Sequence, residues 1–135
     1  MRRTAVLRSV LLALASLAVT PAYAADVSTH VLDLATGVGG TDIPVVLERK
    51  QADGSWIAIA TARTDANGRV RAFDVKSPVD TGIYRLRFDI SAYGPNAKER
   101  FFPEIDVTFR VSDMAGHYHV PVVVSPFGYS TYRGN

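Results

Sequence analysis

Between Ile83 and Ile90 apolar and charged side chains alternate without a break. Tyr84, Leu86, Phe88 and Ile90 fall on one side, and Arg85, Arg87 and Asp89 on the other. A period of two belongs to an extended strand with one face in a core and one in water; a helix would scatter these residues around its circumference. The same rhythm returns at Ile105, Val107, Phe109 and Val111, with Asp106, Thr108 and Arg110 between them. Further short strands are expected at Val27–Leu34, Pro44–Lys50, Trp56–Arg63, Val70–Val75, His117–Ser125 and Tyr129–Arg133. Turn signals separate them. Thr36–Asp42 is a glycine-rich loop, Gln51–Ser55 carries Asp53-Gly54, and Asp65-Ala66-Asn67-Gly68 reads as a tight turn, because Asn-Gly tolerates positive φ. Ser91–Arg100 is too polar and too interrupted by Gly and Pro for a strand, and has room for one short helix. Short strands at this spacing predict an all-β fold, a two-sheet sandwich, with Trp56, Phe73 and Tyr84 among its core aromatics.

The first 24 residues stand apart. Arg2, Arg3 and Arg8 make a basic start, Val10–Val19 is apolar, and Ala22-Tyr23-Ala24 is a small-x-small cleavage site. These are the three regions of a secretory signal peptide, and the apolar run is too short to span a bilayer. Residues 1–24 are therefore expected to be removed and residues 25–135 to form one domain, periplasmic or secreted, with no membrane contact once the signal is gone. Three arginines leave with the signal, so 12 basic residues face 13 acidic ones and the net charge falls from +2 to −1. There is no basic stripe, and nucleic acid is excluded as a partner. The chain has no cysteine. Neither disulfides nor thiolate chemistry is open to it, and subunit association is the obvious supplement to a small core.

Three histidines are the candidates for chemistry near neutral pH. His117 and His119 are two apart, so on a strand both point to one face while Tyr118 and Val120 point to the other. His30 shares a face with Ser28 and Leu32 on the first strand. A structural pair, a zinc site of three imidazoles with an open water position, and metal-free acid–base catalysis all fit this pattern. Arg69, after the Asn67-Gly68 turn, is by itself an ordinary surface arginine, and Tyr132-Arg133-Gly134-Asn135 an ordinary tail.

Taken together, STHVLD (Ser28–Asp33), FFPEI (Phe101–Ile105), HYHVP (His117–Pro121) and SPFGYSTYRGN (Ser125–Asn135) closely resemble the 5-hydroxyisourate hydrolase family, transthyretin-related enzymes of uric acid breakdown. The resemblance covers nearly all of the chain after residue 25. It implies a transthyretin-like fold of two four-stranded sheets packed face to face, and hydrolysis of 5-hydroxyisourate without cofactor or metal. It implies that His30, Arg69 and His119 are catalytic, and that Tyr132, Arg133, Gly134 and Asn135 bind substrate. It also implies a homotetramer with active sites at the dimer–dimer interface. Two departures stand out. The family ends Tyr-Arg-Gly-Ser where this chain has Asn135, and the loop Thr36–Asp42 is longer than the family's turn. The rival readings are a non-catalytic transthyretin-like carrier of a small ligand, a three-histidine zinc hydrolase, and a structural or adhesive sandwich.

Overall fold

Two β-sheets face one another in the computed structural model, which describes residues 24–135. The signal peptide expected at 1–24 lies outside the described residues except for Ala24. In chain order the strands are β1 (Asp26–Asp33), β2 (Val38–Gly39), β3 (Pro44–Lys50), β4 (Trp56–Arg63), β5 (Arg69–Val70), β6 (Gly82–Asp89), β7 (Glu104–Val111), β8 (His117–Ser125) and β9 (Gly128–Thr131). One sheet runs β4-β3-β6-β7. The other runs β2-β1-β8-β9, with β5 also paired to β1. Pairing is antiparallel except between β1 and β8, which run parallel from Asp26↔His117 to Asp33↔Val124. The short helix is a 3-10 turn at Ala97–Glu99, inside the segment expected to hold one.

The alternation decides what is buried. Tyr84, Leu86 and Phe88 of β6 meet Val45 and Leu47 of β3, Val107 of β7, and Tyr118, Val120, Val122 and Val124 of β8 in one core, each no more than 7% exposed. The charged positions of the same strands form an outer ladder. Arg85 pairs with Glu48 at 2.6 Å, and Arg87 with Glu104 at 2.9 Å. Trp56 belongs to this outer face and not to the core: Arg85 lies 4.3 Å over its ring, a cation–π contact that leaves the indole half-buried.

Beyond one-residue shifts at strand ends, three elements differ from the sequence reading. The glycine-rich loop contains β2, which pairs Leu32 with Gly39. Instead of extending to Val75, β5 stops after Val70; Phe73 still reaches the core, but from irregular chain. These two short strands together cover one edge of β1, giving that sheet five members instead of four. The last strand ends at Thr131 because the next ladder partner would be Pro121, which has no N–H to give. The ladder closes again at Gly134, whose N–H donates to the His119 carbonyl at 2.8 Å.

Candidate active site

The inward alternation of β8 leaves His117 and His119 on the outer face of the five-stranded sheet. The parallel register sets Ser28 beside His119, and alternation on β1 puts Ser28 and His30 on that same outer face. The Ser28 hydroxyl lies 2.8 Å from His119 Nδ1 and 3.4 Å from His117 Nε2. The two imidazoles are nearly parallel, 8° apart in tilt, with centroids 6.5 Å apart.

Arg69 reaches this face through the turn before it. Asp65 Oδ1 accepts the backbone N–H groups of Asn67 (2.8 Å) and Arg69 (3.0 Å), and those bonds hold its carboxyl below the usual carboxylate range, Arg69 contributing most. Gly68 carries φ +76° and presses so closely on β1 that a Cβ there would lie 2.4 Å from the Val31 carbonyl oxygen. The Asn-Gly turn makes no hairpin. It carries the chain from β4 in one sheet to β5 in the other, where Arg69 pairs with His30.

On the far side the chain crosses His119 at Gly134. A Cβ at Gly134 would sit 2.5 Å from His119 Cδ2 and 3.1 Å from Pro121 Cγ, so only glycine fits. Asn135 follows into a cavity of about 220 Å³ whose lining includes Ser28, Arg69, Arg71, His117, His119 and Asn135. Tyr132 and Arg133 turn instead to a neighbouring groove of about 310 Å³, between β7 and β8, that shares His119. Arg133 stacks 5.2 Å over Tyr118, and Tyr132 is largely exposed. The expected site residues thus divide. Arg69, His119 and Asn135 line the cavity, His30 flanks it beside Arg69, Gly134 shapes it, and Tyr132 and Arg133 face the groove.

No Asp or Glu side chain lines the cavity. Burial lowers the His119 pKa below the ordinary imidazole value of 6.5, and Arg69, His117 and His30 lower it further. Burial also lowers His30, with Arg69 adding to it, against opposing pulls from the Asn67 backbone and Asp65. Both rings are therefore neutral at pH 7 and able to take a proton, beside a guanidinium suited to developing negative charge. Among the described residues no three His, Asp or Glu side chains converge as metal ligands, so the three-histidine zinc arrangement is not formed.

Two residues of this surface, Ser28 and Arg71, escaped the sequence reading as members of the site. Ser28 is tied to His119 only through the parallel register. Arg71 follows Arg69 by two, and that spacing on extended chain was a usable signal.

Comparison with known proteins agrees with the fold and extends it. A family model described as HIUase/Transthyretin family matches residues 27–134. A 5-hydroxyisourate hydrolase of Salmonella typhi is 41% identical over 129 residues, covering 91% of this chain and 94% of its own. The 5-hydroxyisourate hydrolase structure from Klebsiella pneumoniae superimposes with a TM-score of 0.69 at 31% identity, covering 82% of this chain and 99% of that one. Sea bream transthyretin in complex with thyroxine gives 0.73 at 30% identity, covering 80% and 93%.

Proposed function

The chain belongs to the HIUase/Transthyretin family, and from that premise we propose that it hydrolyses 5-hydroxyisourate to 2-oxo-4-hydroxy-4-carboxy-5-ureidoimidazoline. One observation carries the reading: two neutral imidazoles and an arginine gather at a cavity of small-molecule size that no Asp or Glu side chain lines, His119 and Arg69 in its wall and His30 at its flank. Hydrolysis of a cyclic amide asks for a base to activate water, a cation for the oxyanion and a proton for the departing nitrogen. His119 and His30 share the proton transfers. Arg69 holds the substrate's carbonyl groups and the charge that grows on the oxygen. Asn135 contacts the ring from the cavity wall, Gly134 lets the tail cross His119, and Tyr132 and Arg133 complete the binding surface from the groove. No cofactor or metal takes part.

We infer further that the protein is exported, begins at Ala25 once its signal is removed, and works as a homotetramer. The site lies on the outer face of a sheet, so a single copy leaves it open on one side. At the Ser125–Gly128 end of the same sheet Phe101, Phe102, Phe127 and Tyr129 are exposed, with Phe102 edge-on to Phe101 and Tyr129, a surface suited to burial by another copy. Generating 5-hydroxyisourate with urate oxidase and following its absorbance decay, with and without this protein, tests the activity. A carrier would bind the compound and leave its decay unchanged.

A further inference from the structure

A histidine serves as base at one nitrogen only if its proton sits on the other, and the hydrogen bond on the far side decides which. Three contacts orient His119. Nδ1 lies against Ser28, the Cδ2 flank lies against Gly134, and the remaining Cε1–Nε2 edge therefore stands off the sheet toward the cavity. For Nε2 to take a proton from water, Nδ1 must carry the ring's hydrogen and Ser28 must accept it.

Serine alone does not guarantee this. Its hydroxyl has one proton and two lone pairs, so it can equally donate to Nδ1 and drive the hydrogen to Nε2. Here a second imidazole competes for the serine proton, because His117 Nε2 lies 3.4 Å from the same oxygen. That distance is stretched, as such bonds often are before substrate arrives. Two consistent chains exist. In one, His119 Nδ1–H donates to Ser28 Oγ, and the Ser28 O–H donates to His117 Nε2. In the other every bond is reversed and Nε2 of His119 is blocked by its own hydrogen. Arg69 breaks the tie, since a guanidinium has donors only and favours a lone pair on the imidazole edge that faces it.

We propose that Ser28 and His117 form a tautomer-setting pair: positioning residues that hold the hydrogen of His119 on Nδ1 and keep its cavity-facing nitrogen basic. This deepens the hydrolase reading and rests on it for the identity of the substrate, while the tautomer itself does not. The pair predicts an asymmetry between its members. Removing His117 leaves the Ser28 proton with no taker except His119, which turns the base off. Removing Ser28 removes that bias, and with it the importance of His117.

The test is made on the full chain at pH 8. Long-range ¹⁵N–¹H spectra of the histidine rings should show His119 protonated on Nδ1 in the parent and on Nε2 in His117→Ala. In kinetics with 5-hydroxyisourate, His117→Ala should lower kcat about tenfold with KM unchanged. The same change made in Ser28→Ala should cost less than about twofold, and Ser28→Thr, which keeps the hydroxyl, should stay near the parent. A parent His119 protonated on Nε2 overturns the proposal, as does a His117→Ala penalty of equal size with and without Ser28. If the spectra show the expected tautomers and 5-hydroxyisourate is not turned over, the pair stands and the assignment of substrate fails.

Discussion

Gly134→Ala is the sharpest probe of how the tail and His119 share space. The added methyl would sit 2.5 Å from His119 Cδ2, against roughly 3.5 Å for ordinary carbon–carbon contact, so something must move by about 1 Å. The ring is held on its other flank by the 2.8 Å contact with Ser28, and its strand by pairing with β1. The tail is held at this point by the Gly134 N–H bond to the His119 carbonyl. The tail gives way. Losing that bond costs about 1 kcal/mol, which lowers the melting temperature of a domain this size by about 4 °C. Catalysis suffers far more, because Asn135 leaves the cavity wall with the tail and His119 loses one of its two lateral supports. A misplacement of this size is worth about a hundredfold in kcat/KM, or roughly 2.7 kcal/mol of transition-state stabilisation. The decay of enzymatically generated 5-hydroxyisourate measures the loss in kcat/KM, and circular dichroism on heating measures the fall in melting temperature. Activity within threefold of the parent would show that the crossing at Gly134 does not govern the site.

Other expectations follow from the same geometry. His30→Ala, Arg69→Ala and His119→Ala should each slow hydrolysis by about a hundredfold or more with melting temperatures near the parent's, while His117→Ala costs less; full activity in the His30 and His119 variants would sink the mechanism. Asn135→Ser should change kcat/KM by less than about tenfold, since an amide can both donate and accept in place of a hydroxyl; a larger gain would mark the natural residue as an impairment. Because His30 and His119 titrate below 6.5 in the folded protein, activity should hold down to pH 6.5 and fall only below it. By linkage, the stability the two neutral rings contribute is complete above pH 6.5 and is lost as pH falls from there through their lower folded values, so melting curves at pH 7 and pH 5 should show the decline. Light scattering and intact mass should give a tetramer of chains beginning at Ala25; a monomer that still turned over substrate would separate the site from assembly.

Strands whose alternation is driven by burial were legible in the sequence. Tyr84, Leu86 and Phe88 against Arg85 and Arg87 leave β6 no alternative, and β7 and β8 follow suit. Elements set by backbone hydrogen bonding between distant segments were not. Val38–Gly39 becomes a strand only because β1 offers an edge, and of Val70–Val75 only Val70 stays in the sheet, the chain leaving β1 before Ser28. Trp56 looked like core by its size, yet its strand position faces outward, where Arg85 covers it. The placement of His117 and His119 on one face could be read from spacing. Their link to Ser28 could not, since nothing local announces that two strands about 90 residues apart run parallel and in that register.

Joining β1 to β8 also fixes when the protein can become active. Bringing segments about 90 residues apart together costs on the order of 4 kcal/mol in chain entropy before any contact repays it. Pairing of this range is among the slow steps of folding. A nascent chain that has been made as far as β7 can assemble the whole four-stranded sheet, yet it holds only His30 and Arg69 of the proposed catalytic set, on strands with no β8 beside them. Under the proposed mechanism, acid–base chemistry begins only after β8 has been synthesised and has slotted in beside β1. Until then the long inner edge of β1 is an unpaired strand, and it is there that interrupted synthesis or slow docking exposes this chain to aggregation.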